Sequence, residues 1–211
     1  LKSDLSRMGG LVEKLCKDGI EAFLSGNTSM IDSCINQDKE IDALEKSINE
    51  KTMKILALQA PMANDLRMII SSLRIASCLE RCGDYGKNLG RRSSLALNEE
   101  ILSLIRGMRR LGEAALLNLK NSLDAHATGN VDFAKQVCSG DTDIDKIYLS
   151  IFAKIISEIS NSSEQSVSNL SQMLLAAKTI ERIGDQATNI AELTIFSETG
   201  EIVEDSRTKL K

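Results

Sequence analysis

Four pairs of acidic residues stand at i, i+4 spacing: Asp38 with Asp42, Glu80 with Asp84, Asp141 with Asp145, and Glu181 with Asp185. On a helix this spacing puts both carboxylates of a pair on one face, ~6 Å apart along the axis. Asn88 and Asn189 add an amide oxygen one turn beyond the second and fourth pairs. Carboxylates gathered at one level repel each other, so protons, Arg or Lys side chains, or a cation must neutralise them. Hard oxygen donors suit Mg, Mn, Ca or Fe, and Zn is also accommodated. The plainer alternative is a set of solvated acids paired with Arg81 and Arg182 along a groove. Occurrence of the same four acids twice favours the cation site.

Antiparallel helical hairpins are needed to bring these pairs together. A turn centred near Met62 lies 20 residues after Asp42, and 18 and 22 residues before Glu80 and Asp84. A second turn, near Ser163, lies 18 and 22 residues from Asp145 and Asp141 on one side and from Glu181 and Asp185 on the other. Equal counts from a hairpin turn mean equal height along the rods, so each half of the chain presents a D-x-x-x-D face opposite an E-x-x-x-D face.

The halves are copies of one unit. The pattern E-R-x-G-D-x-x-x-N occupies 80–88 and 181–189, an offset of 181 − 80 = 101. The D-x-x-I-D segments at Asp38 and Asp141 are offset by 141 − 38 = 103, as are Ser25-Gly26-Asn27 and Thr128-Gly129-Asn130. Gly-Asn pairs, Pro61 and the polar stretch 160–164 punctuate the chain. Between them the apolar period is helical: Ile41, Leu44, Ile48 and Ile55; Leu66, Ile69, Leu73, Ala76 and Leu79; Ile144, Ile147, Ile151, Ile155 and Ile159. The expected fold is all-α, with six helices of about 25–30 residues each as two tandem three-helix bundles. Their boundaries fall at 1–97 and 98–200, with a tail at 201–211. Gly83 and Gly184, inside helices, are expected to permit close helix packing.

Composition removes other classes. One proline, no tryptophan and few aromatics disfavour a β-sandwich. A net charge of −4 argues against nucleic-acid binding, which wants a basic face. No window reaches the ~18 apolar residues of a membrane span, and Leu1-Lys2-Ser3-Asp4 does not read as a signal peptide. Five cysteines without a C-x-x-C pair read as free thiols in a reducing cytoplasm, and Cys78 and Cys82 as core residues rather than ligands. The single histidine, His126, is expected on a surface loop beside Gly129. That leaves no Glu-x-x-His motif and no triad, so a non-enzymatic role is expected.

The paired E-R-x-G-D-x-x-x-N segments, the D-x-x-I-D segments and Ala63-Asn64-Asp65-Leu66-Arg67 after Ala60-Pro61-Met62 together resemble the PhoU family, over about residues 5–200. The resemblance implies a negative regulator of phosphate-starvation signalling in the cytoplasm. It would act as an adaptor between the ATPase subunit of a phosphate ABC transporter and a sensor histidine kinase, commonly as a homodimer. It also implies metal ions (Fe, Zn, Mn or Mg) on Asp38, Asp42, Glu80, Asp84 and Asn88, and on Asp141, Asp145, Glu181, Asp185 and Asn189. A metal-storage bundle or metalloenzyme on the same carboxylates is the alternative.

Overall fold

A computed structural model describes residues 1–94, 99–160 and 164–203. It contains six helices and, among the described residues, no strand: α1 (Lys2–Ser25), α2 (Ile31–Gln59), α3 (Ala63–Arg91), α4 (Glu99–Thr128), α5 (Val131–Ile159) and α6 (Glu164–Thr199). The α6 helix runs 36 residues, beyond the expected length, because its apolar face continues past Asn189 through Ile190, Leu193 and Ile195. The expected boundary at 97/98, the turn centre at Ser163 and the tail beyond Val203 lie outside the described residues.

The Gly-Asn pairs act as predicted. Gly26 ends α1 with φ 67°, and Gly129 follows α4 with φ 65°, the left-handed conformation that glycine adopts without a Cβ clash. The next residue starts the following helix: Asn130 Oδ1 accepts from Phe133 N–H at 3.0 Å, while Asn27 Oδ1 accepts from Ser29 N–H at 3.1 Å and opens a 3-10 turn, Thr28–Met30, ahead of α2. The α2–α3 turn at Pro61 has no glycine. Ala60 and Ala63 take φ of 43° and 48° there instead.

Each half is a three-helix bundle, with α2 packed on α1 and α3, and α5 packed on α4 and α6. The bundles are fused, because α3 also packs on α6 and α1 on α4. One hydrophobic core therefore draws Leu15, Ile41, Leu79, Leu111, Ile155 and Ile183 from all six helices, and a smaller cluster holds Ala125, Val137 and Ile195.

The internal glycines confirm the duplication in three dimensions. A Cβ on Gly83 would stand 3.2 Å from Ile41 Cδ1, and one on Gly184 3.0 Å from Ile144 Cδ1. The glycines are related by 184 − 83 = 101 and the isoleucines by 144 − 41 = 103, the two offsets read from the acidic motifs. In each bundle the missing side chain lets an isoleucine of the outer helix seat against the inner one, and this holds the acids flanking each glycine close to the D-x-x-I-D helix.

Cys16, Cys34 and Cys82 are buried, Cys78 and Cys138 are half-buried, and among the described residues none of the five joins a disulfide. The Cys16 thiol donates to the Cys82 carbonyl at 3.2 Å. His126 corrects the loop expectation. It lies in the last turn of α4, half-buried, with Nδ1 3.3 Å from Thr194 Oγ1. Burial, with Lys2 nearby, pushes its pKa down.

Candidate functional site

In the first repeat, α2 carries Asp38 and Asp42 against Glu80 and Asp84 of α3, as the hairpin register requires. Asp38 is buried at 5 % exposure. A lysine closes the seam: Lys87 Nζ donates to Asp38 Oδ2 at 2.6 Å and to Asp84 Oδ1 at 2.5 Å. Burial opposes its charge, but the two carboxylates hold the ammonium pKa above its ordinary value.

One ammonium does not balance the cluster. Glu45, one turn beyond Asp42, faces the same seam. Burial, then Asp84, Glu45, Asp42 and Asp38 in turn, raise the Glu80 pKa to about 6. Asp42 and Glu45 are also raised, by burial first and then by carboxylate neighbours. Asn88 is exposed on the surface.

The second repeat keeps the acids and changes their partners. Asp141 and Glu181 are buried, at 4 % and 7 % exposure, and Asp145 and Asp185 are half-buried. Asp141 lies against α6 at Gly184, where a Cβ would stand 3.9 Å from its Oδ1. Lys178 Nζ donates to Glu181 Oε1 at 2.5 Å and rests 5.2 Å from the centre of the Tyr148 ring on α5. Asn189 borders a cavity between α3 and α6.

Lysines thus take the role that the plainer alternative gave to Arg81 and Arg182, neither of which forms an ion pair among the described residues. Repeat matching could not have found Lys87, Lys178 or Glu45. Their counterparts are Thr188 (87 + 101), Ser77 (178 − 101) and Tyr148 (45 + 103). The signal that could have found them is helical spacing: Lys87 is i+3 from Asp84, Glu45 is i+3 from Asp42, and Lys178 is i−3 from Glu181.

Among the described residues, Asp38 Oδ1 and Glu181 Oε2 are buried without a hydrogen-bond partner. Such acceptors normally find a donor or a cation.

The PhoU domain model matches residues 5–93 and 108–194, one copy per bundle. The chain belongs to the PhoU family. Across its full length it is 35% identical to the "phosphate-specific transport system accessory protein PhoU homolog" of Caulobacter vibrioides, covering 91% of that protein. The Rhizobium meliloti homologue of the same name is 37% identical over 97% of this chain and 86% of its own. The fold is similar to the crystal structure of PhoU from Pseudomonas aeruginosa, with a TM-score of 0.89, 32% identity, and coverage of 94% of this chain and 95% of that one. It is also similar to the phosphate transport system regulatory protein PhoU from Streptococcus pneumoniae, with a TM-score of 0.86, 26% identity, and coverage of 96% and 95%. The two copies of the PhoU domain coincide with the two acidic seams.

Proposed function

We propose that this chain is a regulatory accessory protein of phosphate uptake that restrains phosphate-starvation signalling when phosphate is plentiful. It acts without turnover, in the cytoplasm and as a homodimer, as an adaptor between the ATPase subunit of a phosphate ABC transporter and a sensor histidine kinase. The observation that carries this reading is the end-to-end likeness to relatives named as accessory and regulatory proteins of phosphate transport. An adaptor needs differential binding to two states of a partner rather than a catalytic site. Long helices supply surface for that. The α2–α3 tip leaves Leu58 and Met62 83% and 79% exposed. No helix among the described residues is long and apolar enough to cross a membrane.

The test is a deletion strain grown in ample phosphate. Phosphate-starvation genes should switch on, and the wild-type chain should switch them off again. The chain should also capture the transporter ATPase subunit and the kinase. Genes that stay silent in the deletion strain would overturn the regulatory reading.

A bound cation is the second reading, favoured by the orphaned oxygens of Asp38 and Glu181. The donor chemistry fits a hard ion such as iron, manganese or magnesium, with zinc accommodated. Among the described residues no three acids gather closely enough to hold an ion as they stand, so Asp38, Asp42, Glu80 and Asp84 in one repeat, and Asp141, Asp145, Glu181 and Asp185 in the other, would have to close around it. In the first repeat it would supply positive charge beyond that of Lys87. Metal analysis of the purified chain beside an Asp84→Ala plus Asp185→Ala variant tests this. Equal metal content in both, or none in either after loading, would refute it.

A further inference from the structure

A cavity of about 460 Å³ opens between α3 and α6, and of the candidate metal ligands Asn189 borders it. The two helices run antiparallel, since Arg67 of α3 lies beside Gly200 past the end of α6, whereas Tyr85 senses Arg182 and Asp185. From α3, Arg74, Cys78 and Arg81 line the cavity at i, i+4 and i+7. From α6 and the segment after it come Gln186, Leu193, Phe196 and Ile202.

Neither Arg74 nor Arg81 forms an ion pair among the described residues. Among the described residues, the cavity wall carries the guanidiniums of Arg74 and Arg81 and one carboxylate, Glu192. Gln186 is only 7 % exposed, and among the described residues its Oε1 has no hydrogen-bond partner. A buried amide left unpaired at a cavity wall is costly unless a ligand or water completes it.

We propose that this cavity binds a small organic oxyanion, with its phosphate or carboxylate group on Arg74 and Arg81 and its apolar body against Leu193, Phe196 and Ile202. Guanidinium forks match the planar, bidentate demand of such oxyanions. The volume lies within the ~300–1,000 Å³ of small-molecule sites and is more than a bare inorganic anion fills. The site belongs to one side of the repeat only. Across the duplication Arg81 becomes Arg182, but Arg74 becomes Leu175 (74 + 101) and Cys78 becomes Thr179 (78 + 101), so the related groove keeps one guanidinium.

Phenyl phosphate and benzoate, titrated calorimetrically into the purified full chain, test the proposal, with phenol and inorganic phosphate as controls. At least one of the two organic anions should bind saturably. The tighter of them identifies the anionic group, and phenol should not bind. In a Cys138→Ser background, the bound anion should slow alkylation of Cys78 by N-ethylmaleimide several-fold. Arg74→Gln with Arg81→Gln should weaken binding about tenfold or more while leaving the helical melt unchanged. Arg182→Gln should leave binding as it was. Failure of both organic anions to bind, undiminished binding in the double variant, equal protection of Cys78 by phenol, or inorganic phosphate binding as tightly as phenyl phosphate would each overturn it. These readouts use the isolated chain, so they stand apart from the regulatory role.

Discussion

Lys87 and Asp38, forty-nine residues apart, meet across the α2–α3 seam at 2.6 Å, through a lysine that the second repeat does not keep. Where Lys87 would recur stands Thr188, whose hydroxyl donates to the Gly184 carbonyl at 3.3 Å instead. The lysines at the two seams are thus placed differently. In the first repeat a lysine on the inner helix reaches across to the outer one. In the second, Lys178 stays on its own helix and lies over Tyr148.

Lys87→Met should expose what the first lysine contributes. Its removal leaves Asp38 buried beside other acids without its ammonium, and loss of one partner from a buried pair costs about 3 kcal/mol or more. Urea unfolding should show that loss, and Asp38→Asn on top of Lys87→Met should recover much of it. A single variant as stable as wild type would mean that the seam is effectively solvated.

Glu80 predicts a pH signature. Burial and four carboxylates raise its pKa from 4.5 to about 6 in the folded chain, so the folded state holds this proton more tightly than the unfolded one. The associated stability is present below pH 4.5 and is lost as pH rises through about 6. Glu80→Gln cannot ionise. In metal-free protein, its melting temperature minus that of wild type should therefore climb across this interval and level off above it. A difference that stays constant, or falls, would contradict the crowding of acids around Glu80.

Glycines on α1 should divide sharply. Gly19 sits directly on the Gly86 carbonyl of α3, and an added Cβ there would overlap backbone atoms. Gly19→Ala should cost at least the ~1–3 kcal/mol of core overpacking. Gly10 is exposed on the same helix with nothing within 4 Å of its missing Cβ, so Gly10→Ala should instead raise stability by ~1 kcal/mol. Thermal melts of the two variants check both signs, and a Gly19→Ala variant as stable as wild type would refute the close α1–α3 approach.

Much of this protein is visible in its sequence because the signals are local or repeated. The helical period of Ile41, Leu44 and Ile48, the Gly-Asn stops at 26 and 129, and the i, i+4 acids are short-range patterns. Duplication at offsets of 101 and 103 marks which acids share a seam. Tertiary structure alone decided what repetition cannot encode: the reach of Lys87 to Asp38, the seating of Lys178 over Tyr148, and the fusion of two bundles through α3 and α6. The physical reason is range. A helix face follows from 3.6-residue periodicity, whereas the charge that balances a buried carboxylate depends on which rods lie side by side and at what height. Arg74 and Arg81 look like ordinary surface arginines in the chain, and only the approach of α6 turns their face into a cavity wall.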